Sequence, residues 1–183
     1  MNSIDNSDIQ ANFKSHHFSC NKTSEKIYDY NPEEKVLIVG IDNVDRAEVY
    51  RAEKILKDFF KFRTTVVIKN TTIEDKFHYN GDPEIIDGNA LVTSFKSENK
   101  VLMVTDKKMI GQGIWVRGLS SYSNKLLITE TGKFMKETII HEMGHSYGLS
   151  HCGNLSCVMA IYNDEYDTGK FCEECSKSIN FYR

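Results

Sequence analysis

The chain has 183 residues, of which 40% are hydrophobic and 27% charged, and its formal net charge is −3 at pH 7. This length suits a single domain with its own core. The weak negative charge gives no electrostatic reason to expect binding to nucleic acid or to a membrane surface. No apolar run is long enough to span a membrane, and the opening residues lack the apolar segment of a secretory signal, so we expect a cytoplasmic protein. We also expect a monomer.

The N-terminal half predicts a short unit of alternating elements. Residues 1–33 are polar and mixed, which is typical of a loosely ordered segment, and residues 34–183 are predicted to form one domain. The run KVLIVGI (Lys35–Ile41) is apolar and rich in β-branched residues, which predicts a buried strand. Residues 44–60 have apolar side chains at helical spacing. Residues 64–70 predict a second strand, so the domain begins with a βαβ-like unit.

The central region predicts shorter elements. Residues 80–90 combine Gly and Pro in turn contexts and predict a loop. Residues 100–106 predict a third strand, and residues 113–118 and 124–130 predict two shorter strands. A helix is predicted to follow directly, over residues 132–147.

This last helix carries the most informative stretch of the sequence, HEMGHSYGLSHC. His141 and His145 are four residues apart, so on a helix they project from one face and can share a zinc ion. Glu142 is turned by about 100°, which places it poorly as a ligand but within reach of a water on that ion. Gly148 can adopt the left-handed conformation that ends a helix, and the turn would bring His151 back as a third ligand. Three ligands leave one position open for water, as in a catalytic zinc site.

The full pattern H-E-x-x-H-x-x-G-x-x-H is much more specific than its first half. Chance would produce it in a chain of this composition roughly a few times in 100,000. Two alternatives remain open, namely a histidine-rich helix that binds no metal and a zinc site that has lost catalysis. Glu142 argues against the second alternative, because a purely structural site needs no general base.

Four of the five cysteines are clustered near the C-terminus: Cys152, Cys157, Cys172 and Cys175. Two thiolate pairs of this kind can form a closed, tetrahedral structural zinc site. Disulfide bonds, or a redox function of the C-x-x-C pair, are the alternatives. A metal at this place would tie the C-terminal segment to the loop that carries His151.

Met159 lies two residues after Cys157, and a methionine just after the third histidine is typical of the metzincins, in which a Met-turn passes beneath the zinc. A core methionine that fills a gap is the alternative. With Met159 included, residues 141–175 resemble the archaemetzincins: H-E-x-x-H-x-x-G-x-x-H-C, then four residues, then C-x-M, and finally C-x-x-C. A weaker similarity extends over residues 35–175.

The resemblance implies an α+β, zincin-like (metzincin-like) fold, in which a mixed twisted β-sheet packs on the active-site helix and a Met-turn and a short C-terminal helix follow. It implies two Zn²⁺ ions per chain. A catalytic zinc would be bound by His141, His145 and His151, with Glu142 as general base, and a structural zinc by the four clustered cysteines. Residues 34–183 would then form a single metzincin-like catalytic domain. The family consists of metallopeptidases, often described as aminopeptidases, so the expected partner is a peptide or protein substrate.

The sequence therefore favours zinc-dependent hydrolysis of peptide bonds, in particular by an aminopeptidase. A peptide substrate would lie along an edge strand, and residues 124–130 are the predicted edge. A carboxylate would bind the free α-amine of the substrate, and Glu130 and Asp106 are the candidates. Two alternatives stay open: a zinc-stabilised binding protein whose site is latent, and an endopeptidase of narrow specificity.

Overall fold

The computed structural model describes residues 30–121, 125–160 and 169–181. Within these ranges the chain forms eight β-strands and four α-helices. The strands are β1 (Lys35–Ile41), β2 (Arg63–Thr71), β3 (Ile85–Asp87), β4 (Lys100–Thr105), β5 (Lys108–Gly111), β6 (Ile114–Val116), β7 (Gly118–Ser120) and β8 (Leu126–Glu130). The helices are α1 (Arg46–Phe60), α2 (Gly88–Ser94), α3 (Met135–Ser146) and α4 (Glu173–Ser178). Residues 1–29, most of the segment predicted to be loosely ordered, lie outside the described residues.

Five strands form the main sheet, in the order β2-β1-β4-β8-β7. The first four strands of this order are parallel, and β7 pairs antiparallel with β8 at the edge. Val36 of β1 lies opposite Thr64 of β2 on one side and Lys100 of β4 on the other. A second sheet of three strands has the order β3-β5-β6.

The main sheet has one core on each face, because successive side chains of a strand point to opposite faces. On one face, side chains such as Ile38, Leu102 and Leu127 pack with α1 and α3. On the other face, Met103 and Ile128 pack with α2 and the three-stranded sheet. The helix with the histidine motif is thus supported along one side by a buried sheet.

Helix α1 has a sequence that defines both of its ends. The Asp45 side chain accepts a hydrogen bond from the Ala47 amide at 2.9 Å and caps the N-terminus. Lys61 ends the helix in the left-handed conformation, with φ of 58°. The buried positions include Ala52 and Leu56, which recur at helical spacing and face α3.

The mixed α+β architecture agrees with the expectation from the sequence, but the structure differs from the expected elements at three places. Residues 80–90 were expected to be a loop, yet β3 lies here and α2 begins here, with Asp87 as its cap. These elements are too short for a period to show in the sequence. Strand β5 was not predicted. None of the described helices is long and apolar enough to cross a membrane.

The third correction concerns the edge of the main sheet. Residues 124–130 were the predicted edge, but β8 lies inside the sheet, between β4 and β7. The sheet has two edge strands, β2 and β7, and β7 is the edge strand next to β8. Its three residues, Gly118, Leu119 and Ser120, are too few and too weakly apolar to predict a strand.

Candidate metal centres

Helix α3 presents two histidines away from the sheet. Ile139, Ile140 and Met143 are fully buried and hold the helix against its neighbours. His141 and His145, which are four residues apart, are only half-buried and share the exposed side. The packing of the helix therefore determines the direction in which these two imidazoles point.

The turn after α3 brings the third histidine to the same place. Gly148 has a φ of 88°, a conformation that favours glycine, and its amide donates to the His145 carbonyl at 2.8 Å. The chain then reverses, and the ring of His151 lies 5.3 Å from that of His141 and 4.8 Å from that of His145, centroid to centroid. The three histidines predicted from the sequence as one set are thus brought together.

Backbone carbonyls determine the tautomer of two of these rings. Nδ1 of His141 lies 2.7 Å from the Val158 carbonyl, and Nδ1 of His145 lies 2.7 Å from the Leu149 carbonyl. A carbonyl can only accept, so in the neutral ring the proton is on Nδ1 and the lone pair is on Nε2. The two Nε2 atoms are 3.0 Å apart. Two lone pairs this close repel each other unless a cation lies between them, so this donor set fits a metal ion.

Burial keeps His145 and His151 in the form that binds a metal. It lowers the pKa of His145 to about 3, and the nearby His141 lowers this pKa further in the same direction. Burial also lowers the pKa of His151. At neutral pH these two rings are therefore uncharged, as metal ligation requires.

Glu142 lies beside the three histidines and is almost fully buried. Burial raises the pKa of its carboxyl, while His141 and a hydrogen bond from Ser120 act in the opposite direction. Strand β7 lies directly over it, since a Cβ at Gly118 would be only 2.9 Å from Glu142 Cγ. Sequence reasoning did not find Gly118 or Ser120, because only the pairing of β7 with β8 brings them to the helix.

Met159 is fully buried against α3, the helix that carries His141 and His145. A Cβ at Gly144, which lies between the two helical histidines, would collide with Met159 Sδ. The preceding carbonyl, of Val158, accepts from His141. This position suits a Met-turn, and that role for Met159 remains a proposal.

The four clustered cysteines form the second donor group, and three of them are buried. The Sγ atoms of Cys152 and Cys172 are 3.8 Å apart, and those of Cys157 and Cys175 are 3.7 Å apart. A disulfide needs about 2.05 Å, so all four are free thiols. Four sulfurs at about 2.3 Å from one zinc ion would be separated by about 3.8 Å in a tetrahedron. The spacing fits a closed tetrahedral metal site.

The surroundings of Cys157 favour negative charge on its sulfur, whereas burial opposes negative charge on the sulfur of Cys172. A hydrogen bond with Cys175 lowers the pKa of Cys157 to about 5 against the effect of burial, whereas burial raises the pKa of Cys172. The Cys172 amide donates to Cys157 Sγ at 3.2 Å, and the Asn154 amide to Cys152 Sγ at 3.4 Å. Amide donors of this kind stabilise thiolates, the form that binds zinc.

The two carboxylates proposed for amine binding are not part of either donor group. Glu130 is ion-paired with Lys108 at 2.5 Å, and Asp106 is exposed. Three further possible metal ligands in the N-terminal segment, His16, His17 and Cys20, lie outside the described residues.

Sequence comparison gives a family match over the segment with both donor groups. The pattern of peptidase family M54 matches residues 98–180. The archaemetzincin of Pyrobaculum aerophilum is 45% identical over 51 residues, which are 26% of this chain and 32% of that protein. The archaemetzincin of Nanoarchaeum equitans is 41% identical over 49 residues, or 25% and 28% of the two chains. These alignments span about a third of the length of the curated relatives.

Structure comparison extends the similarity to most of the fold. The crystal structure of archaemetzincin from Archaeoglobus fulgidus complexed with malonate superposes with a TM-score of 0.69 and 22% identity. It covers 79% of this chain and 99% of that chain. Archaemetzincin from Methanopyrus kandleri superposes with a TM-score of 0.64 and 18% identity, covering 81% and 94%.

The predicted fold class is therefore confirmed: the chain has a metzincin-like α+β fold. The resemblance to the archaemetzincin family, inferred from the motif residues, is confirmed as well.

Proposed function

We propose that the chain is a zinc-dependent metallopeptidase. The observation that carries this proposal is the set of three converging imidazoles with Glu142 beside them. His141, His145 and His151 would hold the catalytic zinc and leave one position open. The family match supports the same activity.

The zinc ion, when bound, would activate a water molecule and polarise the scissile carbonyl. Glu142 would take the proton from the attacking water and donate it to the leaving amine. Burial favours this role because a raised pKa makes the carboxylate a stronger base. The hydroxyl of Ser120 donates to the carboxylate and holds it in one orientation.

A peptide substrate would bind along β7, the edge strand of the main sheet that lies next to β8. An extended peptide adds to such an edge through main-chain hydrogen bonds. Gly118 supports this placement, because the missing side chain lets the β7 backbone lie close to Glu142. A peptide paired with β7 would therefore have its backbone near the general base.

Within this class we propose an aminopeptidase, on the basis of the family resemblance. Such an enzyme must bind the free α-amine of its substrate. Glu130 ends β8, next to the edge strand, and is the better candidate because its side chain is mostly buried and paired with Lys108. The substrate amine would take the place of the Lys108 ammonium.

The cysteine group would hold a second, structural zinc. Its four donors fill a tetrahedron and leave no position for water, which is the arrangement of a structural site. The proposed content is therefore two Zn²⁺ ions per chain.

The test is digestion of a mixed peptide library, in free and N-acetylated form, by the zinc-loaded full chain, with the products identified by mass spectrometry. Glu142→Gln removes the base and keeps the shape of the side chain, and it should lower the rate by roughly 10²–10⁴-fold. Glu98→Gln, which makes the same change at an exposed position, is the matched control.

Loss of single N-terminal residues from free peptides only would establish an aminopeptidase. Cleavage of acetylated peptides at internal bonds would establish an endopeptidase instead. If the chain binds both metals and cleaves nothing, the peptidase proposal is wrong, and a latent or binding function replaces it.

A further inference from the structure

A buried polar network lies at the C-terminal end of α3, outside both donor groups. Lys100, the first residue of β4, is only 5% exposed, and its Nζ lies 3.1 Å from Glu34 Oε2. The same ammonium donates to Ser146 Oγ at 3.0 Å and lies 4.0 Å above the ring of Tyr147. The Tyr147 hydroxyl donates to Glu34 Oε2 at 2.6 Å. We call these four residues the Lys100 network.

A network of this kind is expected to contribute little net stability to the fold. Removing a carboxylate and an ammonium from water is expensive, and replacing a buried ion pair with apolar residues is often neutral or stabilising. Burial lowers the pKa of Lys100, while Glu34 opposes this shift by pairing with the charged form. The network instead fixes the orientation of its side chains, since each hydrogen bond requires one particular orientation of its partners.

The Lys100 network fixes the orientation of the C-terminal end of α3, the helix that carries His141 and His145. Ser146 is the last residue of α3, and Tyr147 is its C-cap. Lys100 places a positive charge at this end of the helix, where the unpaired carbonyls favour it. Lys100 belongs to the central sheet, so the network joins the helix end to the most buried part of the fold.

The metal donors follow directly from this point. His145 precedes Ser146, and Gly148 begins the turn that leads to His151. Leu149, within that turn, accepts the Nδ1 proton of His145 through its carbonyl. A rotation of residues 146–147 would therefore displace one ligand, its hydrogen-bond partner and the approach to another ligand.

We propose that the Lys100 network positions the three-histidine centre, so that His145 and His151 stand in ligating geometry before the metal binds. This inference rests on the proposed metal-binding role of the three histidines, but it does not depend on peptide cleavage. A centre that is already ordered loses less conformational freedom on binding and therefore binds more tightly. Glu34, Lys100 and Tyr147 are thus positioning residues and touch no reacting atom.

The experiment measures the affinity of both donor groups in the same full chain. Cobalt-loaded protein is titrated with a chelator, and release from the two groups is followed separately, since thiolate-bound cobalt shows sulfur-to-metal charge-transfer absorption and histidine-bound cobalt does not. Tyr147→Phe removes only the hydroxyl that binds Glu34. Tyr50→Phe, at an exposed tyrosine of α1, is the matched control.

We expect Tyr147→Phe to weaken cobalt binding at the histidine group by roughly 10-fold or more, the effect typical of losing a group that supports a ligand. Binding at the cysteine group, and binding by Tyr50→Phe, should stay unchanged. Lys100→Met could destabilise the chain because it leaves the half-buried Glu34 carboxylate without its ion-pair partner. The double variant Lys100→Met/Glu34→Leu removes both charges, and it should fold and show the same selective loss.

Unchanged affinity at the histidine group, with or without a lower melting temperature, would show that the network only supports the fold. A parallel loss at both donor groups would lead to the same conclusion. If wild type binds no cobalt at the histidines, this inference and the proposed function both fail. If wild type binds cobalt there and Tyr147→Phe weakens binding, but no peptide is cleaved, only the proposed function fails.

Discussion

The two donor groups lie next to each other in the chain but differ in completeness. The cysteine group has four donors, three of them buried, at the spacing of a filled tetrahedron. The histidine group, among the described residues, has three donors, all half-buried, with a carboxylate beside them. The comparison teaches that donor number and exposure distinguish the group proposed to be structural from the group proposed to be catalytic.

The two groups are also linked through the backbone. Cys152 directly follows His151, and its amide donates to the Met159 carbonyl at 2.9 Å. The adjacent Val158 carbonyl accepts from His141. The segment that carries the cysteines therefore also supports the histidines. We expect the histidine group to depend more on the cysteine group than the reverse, because four donors hold the one and three the other. This asymmetry can be tested by removing each group in turn.

The largest effect is expected from Cys175→Ser. Cys175 is fully buried, so its loss should release the structural metal and lower the free energy of unfolding by several kcal/mol, since metal binding at such sites contributes about 10 kcal/mol or more to folding. Because the same segment supports His141, the histidine metal should be lost as well. Thermal unfolding and metal analysis measure both effects. Cys20→Ser, the fifth cysteine, should leave both metals in place.

The reverse change, His151→Ala, should have a narrower effect. Loss of one of three ligands should abolish binding at the histidine group and reduce peptide cleavage to background. The cysteine metal should remain, because its four ligands are intact, and the melting temperature of the chain that carries only the cysteine metal should change little. Metal analysis should therefore give one zinc per chain. A chain that loses both metals would contradict the asymmetry and make the two groups one cooperative unit.

Sequence and structure agree best where spacing alone determines position. His141, Glu142 and His145 were predictable because a helix converts their spacing into a shared face, and Gly148 marked the turn to His151. The four cysteines were likewise predictable as one set. In each case the partners are separated by only a few residues or belong to a recognised pattern.

What could not be predicted depends on contacts between distant segments. Lys100 meets Ser146 across 46 residues of sequence, and no local pattern marks a lysine as buried. Ser120 reaches Glu142 only through the pairing of β7 with β8. The edge of the sheet was misplaced for the same reason, because strand order follows from tertiary packing.

A smaller effect is expected from Ser120→Ala, which sharpens the contrast between reactive and structural sites. Its hydroxyl touches the proposed base, so we expect roughly a 10-fold loss of activity with both metals retained and a loss of stability of about 1–3 kcal/mol. The hydrogen bond lowers the pKa of Glu142, and its loss should raise that pKa. The acidic limb of the rate profile, where ionised Glu142 becomes available, should therefore move to higher pH. An unmoved limb would mean that Ser120 does not act through Glu142.

The smallest effect should come from Met159→Leu, at the junction of the two groups. Leucine has nearly the volume of methionine, so we expect a loss of stability below about 1.5 kcal/mol. The backbone links of residue 159 to Cys152, and of Val158 to His141, do not depend on its side chain, so both metals should stay bound. Gly144→Ala offers the sharper comparison, because its methyl group would push directly on the Met159 sulfur. If Met159→Leu released the histidine metal while Gly144→Ala did not, the methionine side chain itself would support that centre, and the segment would act through more than its backbone.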